Sequence, residues 1–118
     1  MNLILASSLN NSKKDELGNW YAIALPNKYQ FLPNIKKYIS KYESVVFVAN
    51  DPSDYEVTDE YANLLFSSLD LSNLKFDKKI ILDNRNKDKA KEIIENADFI
   101  FLSGGSVYNQ QAFLKKLN

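Results

Sequence analysis

Four short apolar runs alternate with longer segments of helical period: Leu3-Ile4-Leu5-Ala6, Val45-Val46-Phe47-Val48-Ala49, Lys79-Ile80-Ile81-Leu82 and Phe99-Ile100-Phe101-Leu102. That alternation constrains the fold most, because runs this short are strand-length, and a helix between successive strands lets them lie parallel in one sheet. The second run is unbroken and β-branched, which suits a strand covered on both faces. Ile35, Tyr38, Ile39 and Tyr42 fall on one helical face, with Pro33 placed as a first-turn residue. A second stripe, Val57, Tyr61, Leu64, Leu65 and Leu69, follows Ser53-Asp54-Tyr55-Glu56, which has the spacing of a capping box. Ala90, Ile93, Ile94 and Ala97 predict a third helix, and Val107, Phe113, Leu114 and Leu117 a fourth. Residues 10–28 read as irregular, with 20–25 able to pair as a short extra strand. The expectation is a single α/β domain over residues 1–118, with no internal repeat and no linker.

The chain has 118 residues, 45% of them hydrophobic and 25% charged, enough to bury a core. Fifteen basic residues balance fifteen acidic ones, so no net field gathers nucleic acid or an anionic membrane, and neither is expected as a partner. No run approaches the roughly 20 apolar residues of a membrane span, and the start lacks the basic residues of a secretion signal. A cytoplasmic location is therefore expected. Cysteine and histidine are absent, which excludes within this chain a thiol nucleophile, a thiolate zinc site, a disulfide framework and an imidazole base. No metal or cofactor is expected.

In open α/β sheets ligands gather beyond the carboxyl ends of the strands. Here those ends lead into Ser7-Ser8, Asn50 to Tyr55, Asp83 to Asn86 and Ser103 to Ser106. Ser103-Gly104-Gly105-Ser106 is the strongest of the four. Glycines admit a positive φ and let a substrate approach backbone N–H groups without meeting a Cβ, and the helix that follows adds partial positive charge. The same residues also suit a plain strand-to-helix turn. Neither G-x-G-x-x-G nor a Walker A pattern is present. Ser106 has no base nearby in sequence to activate it, so it reads as a substrate contact or a helix cap rather than a nucleophile. Asp51 and Asp54 suit acid–base work or metal binding or, as the preferred reading, turns and caps. Arg85 is a candidate anion contact in a solvated turn.

Leu102-Ser103-Gly104-Gly105, then Val107, then Gln110-Gln111-Ala112-Phe113 resembles the glycine-rich segment of the dipeptidase E and cyanophycinase serine peptidases, in particular their type 1 glutamine amidotransferase-like relatives. Ala6-Ser7-Ser8, Asn50-Asp51-Pro52-Ser53-Asp54-Tyr55 and Asp83-Asn84-Arg85-Asn86 occur in the same order as similar segments of that family. The resemblance implies a three-layer α/β/α sandwich of the class I glutamine amidotransferase or flavodoxin type, with a mainly parallel sheet, here about four βα units. It implies hydrolysis of small peptides or amides, with the Gly105 N–H as oxyanion-hole donor and Gly104 shaping the turn. Ser103, Ser106, Gln110, Asp51 and Arg85 become candidate substrate contacts. Relatives often carry His or Asn at the position of Ser106 and Pro-Thr at Tyr108-Asn109. The family's nucleophile, in a Gly-x-Ser-Ala-Gly turn, and its histidine have no counterpart here, so the chain matches the N-terminal half of the family domain.

The expectation is therefore a half-domain, inactive alone and completed by a segment carrying Ser and His. A non-catalytic binding or interaction module of the same fold is the alternative, and a flavodoxin-like nucleotide binder is a third. A fourth strand ending beside an absent nucleophile strand would leave its edge unpaired, which predicts a homo-oligomer through that edge.

Overall fold

In the computed structural model, residues 2–5, 12–25, 36–37, 39, 41–49 and 51–102 are described. Six strands occur among them: β1 (Asn2–Leu5), β2 (Ser12–Lys14), β3 (Trp20–Ala22), β4 (Ser44–Val48), β5 (Lys78–Leu82) and β6 (Phe99–Leu102). All four apolar runs form strands. They make one parallel sheet in the order β1-β6-β4-β5, while β2 and β3 pair antiparallel in a separate hairpin. The protein is thus a mixed α/β fold on a parallel sheet.

The strand order corrects one expectation. β6 is hydrogen-bonded to β1 on one side and to β4 on the other, so the fourth apolar run sits inside the sheet and leaves no edge of its own. Among the described residues the edge strands are β1 and β5.

Helix α1 (Tyr55–Leu71) follows β4, and α2 (Ala90–Glu95), entered through a 3₁₀ turn at Lys87–Lys89, follows β5. Asp54, not Ser53, caps α1: its carboxylate accepts from the Val57 N–H at 3.3 Å. The helix ends in a Schellman arrangement. Leu74 N–H reaches the Leu69 carbonyl at 2.8 Å, Asn73 N–H reaches that of Asp70 at 3.1 Å, and Asn73 takes φ 62° while Leu74 is buried.

The two faces of the sheet carry separate cores, as period-two alternation requires. Val45, Phe47, Phe99 and Phe101 pack with Leu65, Phe66 and Leu69 of α1; Val46, Val48, Leu82 and Ile100 pack with Ala90 and Ala97, joined by Ile93 and Ile94. The stripe on α1 is displaced from the expected one. Thr58, Ala62, Leu65, Phe66 and Leu69 are buried, whereas Val57 is 40% and Tyr61 55% exposed. Phe66 explains the rotation: its ring meets Phe47 edge-on at 6.5 Å, and Ala62 beside it lets the helix sit close to the strands.

Residues 10–28 are more ordered than expected where they are described. Asp15 closes the β2–β3 turn by accepting from the Leu17 and Asn19 N–H groups, each at 2.9 Å, and Gly18 supplies the required φ of 86°. Beyond β3 the chain is fastened to α1, with Leu25 N–H donating to Ser72 Oγ at 2.8 Å and Ser68 Oγ donating to the Ile23 carbonyl. Residues 33–35, 38 and 40 of the first expected helix and all of the fourth lie outside the described residues. Among the described residues no helix is long and apolar enough to cross a membrane.

Candidate functional site

Parallel register brings the four carboxyl ends level. Leu5 is paired with Leu102, Leu102 with Val48, and Val48 with Leu82, so the strands end in one row. At about 4.8 Å between neighbours that row spans roughly 14 Å, the scale of a small-molecule site. β6 holds an interior place in it, between β1 and β4. Gly104, Gly105, Ser103, Ser106 and Gln110 come after Leu102 in the chain and lie outside the described residues, as do Ser7, Ser8 and Asn50.

The described part of the rim consists of the loops after β4 and β5, which the structure joins. Asn84 N–H donates to the Pro52 carbonyl at 3.1 Å. Asp51 is exposed and accepts from both the N–H (3.1 Å) and the hydroxyl (2.7 Å) of Ser53, and these hydrogen bonds hold its carboxyl below the usual range. Its backbone carbonyl accepts from Thr58 Oγ1 at 3.2 Å. Asp51 is thus an ionised turn residue whose Oδ1 is engaged locally.

Arg85 sits at the centre of a tighter cluster. Its Nε donates to Asp83 Oδ2 at 3.0 Å and its Nη2 to the same oxygen at 2.7 Å. Nη1 donates to Asp59 Oδ2 at 3.1 Å, Nη2 also donates to Asp59 Oδ1, and the guanidinium lies 4.6 Å from the centre of the Tyr55 ring. Asp83 is fully buried at the end of β5 and also accepts from the Arg85 N–H at 2.8 Å. The hydrogen bond from Arg85 depresses the Asp59 carboxyl, and Asp59 and Asp83 together raise the guanidinium above its already high ordinary value. Nearly every donor of Arg85 is therefore satisfied within the protein, which leaves little of it to meet an external anion.

Asp51 and Arg85 are accordingly brought to one rim, each already engaged. Asp59 was not singled out in the sequence and Tyr55 only as the end of the loop after β4, although their i, i+4 spacing on α1 places them on one helical face and supplies the signal that was available. A separate groove of about 670 Å³ lies at the opposite, amino rim, lined by Ser44, Lys78, Ile80, Glu92 and Ile93 among others. Among the described residues no group of three or more carboxylates converges to hold a metal ion.

No protein-family model, curated protein or solved structure matches the chain.

Proposed function

We propose that the chain is the oxyanion-turn portion of a serine peptidase-like hydrolase of small peptides or amides, acting in the cytoplasm and inactive alone. It would belong to the three-layer α/β/α class of type 1 glutamine amidotransferase-like enzymes. The observation that supports this reading is the interior place of β6 in a parallel sheet whose carboxyl ends are level. The residue pair Gly104-Gly105 follows that strand, and ligands of such sheets gather at this rim. Backbone N–H groups there would stabilise the negative charge of a tetrahedral intermediate, while attack and proton transfer would come from a Ser and a His on a complementing segment.

The test is reconstitution. The isolated chain should not cleave Asp-containing dipeptides, and addition of a folded segment bearing Ser in a Gly-x-Ser-Ala-Gly turn, with its His, should restore cleavage. In the restored complex Gly105→Pro, which removes the N–H, should lower kcat by about 10²–10³-fold. A well-folded complex without activity, or one indifferent to Gly105→Pro, would overturn the reading. The engagement of Asp51 by Ser53 and of Arg85 by Asp59 and Asp83 favours a second reading, a non-catalytic module of the same fold. That module would bind acetate or a short acyl-amide with no complementing segment present.

A further inference from the structure

Among the described residues β5 is an edge strand, and its outward-facing polar groups can be identified from the register. Lys78 N–H donates to the Glu43 carbonyl at 2.7 Å, and the Leu82 carbonyl accepts from Ala49 N–H at 3.0 Å. Residues 78, 80 and 82 therefore turn their backbone groups toward β4, and Lys79, Ile81 and Asp83 turn theirs away from the sheet. A neighbouring parallel strand placed opposite Leu82 would donate one N–H to the Ile81 carbonyl and accept from the Asp83 N–H. The side chain of Asn86 does both. Its Nδ2 donates to the Ile81 carbonyl at 2.7 Å and its Oδ1 accepts from Asp83 N–H at 3.0 Å.

We propose that the Asn86 side-chain amide stands in for the N–H and C=O of one residue of an additional strand and closes the β5 edge against pairing with a second copy of this chain. Asn86 is held for this task by the turn it belongs to: its N–H meets the Asp83 carbonyl at 3.3 Å, and its own carbonyl accepts from Lys89 N–H at 3.0 Å. The other half of the edge is protected differently. Lys78 and Lys79 are exposed there, and Lys79 is tied to Asp70 at 2.6 Å, so an incoming strand would meet charge where it did not meet Asn86. Strand addition at this sheet is thereby directed away from β5.

The test compares the full chain with Asn86→Ala, which removes both surrogate bonds, and Asn86→Asp, which keeps an acceptor for Asp83 N–H but loses the donor. Light scattering across a wide concentration range should show both variants moving from the wild-type mass toward twice that mass, Asn86→Ala further. Amide exchange at Lys79 and Ile81 should slow as they associate. Lys79→Pro in the Asn86→Ala background removes an outward N–H that β4 does not use, which edge strands tolerate, and should return the wild-type mass. A folded variant that keeps the wild-type mass at every concentration would overturn the proposal. So would association that Lys79→Pro leaves intact, or faster exchange at residues 83–86 with no change of mass, which is the signature of a turn residue alone.

Discussion

The two faces of the sheet are built from alternate residues of the same strands, yet among the described residues they are covered unequally. On the α1 side a 17-residue helix lies over a core in which Phe47, Phe66, Phe76, Phe99 and Phe101 meet, with Phe99 and Phe101 at 4.5 Å and Phe76 and Phe99 at 6.3 Å. On the other side a six-residue helix covers Val46, Val48, Leu82 and Ile100, and the residues that meet them from α2 are small or only half-buried. The difference shows that alternation decides which face a residue joins, while the helix above decides how much its side chain is worth. The cluster of Arg85, Asp59 and Asp83 spans the two sides, since Asp59 belongs to α1 and Arg85 to the loop that feeds α2.

The strongest way to break the contrast is Phe99→Ala, which empties the centre of the aromatic face and should cost about 3–5 kcal/mol in urea unfolding. Ala62→Leu comes next. It places extra methylenes where α1 touches the strands and should cost about 1–3 kcal/mol by the same measurement. One residue along from Phe99, on the opposite face, Ile100→Val should cost only about 0.5–1.5 kcal/mol, which sharpens the comparison within a single strand. Tyr61→Ala, on the exposed side of α1, should change stability by less than about 0.5 kcal/mol. A loss there as large as that for Ala62→Leu would restore the stripe expected from the sequence.

The cluster that joins the faces gives a test in pH. Asp59 is depressed in the folded state by Arg85, so its contribution is present above the unfolded carboxylate value of about 3.9 and is lost as pH falls through the lower folded value. The Tm of Asp59→Asn should therefore lie below that of the wild type near neutrality, and the gap should close below about pH 4. A gap that persisted in acid would mean that Asp59 acts by packing rather than charge.

The strands were legible because residues 45–48 and 99–102 are short, continuous and apolar, leaving no helical phase to compete. Their lateral order was not, since nothing local in Phe99–Leu102 says that it enters between β1 and β4 rather than at an edge. The phase of α1 was misread for a related reason. Val57 and the mostly apolar ring of Tyr61 fit a core stripe as Ala62 and Phe66 do, and the aromatic surface of the sheet selects between the two stripes. At the rim, Asp51 and Arg85 were visible as polar turn residues, but of the two carboxylates that meet Arg85 only Asp83 is close in sequence; the other, Asp59, lies on a helix 26 positions away. Of the hairpin, β3 falls within the short extra strand expected at 20–25, whereas β2 escaped because it is Ser-Lys-Lys, a strand made by Asp15 and Gly18 at its turn rather than by apolar alternation.

The insertion of β6 between β1 and β4 also has a consequence for the order of assembly. β4, α1 and β5 are neighbours in the chain and can associate early, at small loop-closure cost, whereas β1 has no partner among the described strands until β6 is seated. β1, the first of the described strands in chain order, is thus among the last of them to find its place, and weakening the Phe99–Leu102 segment should mainly speed unfolding rather than slow refolding.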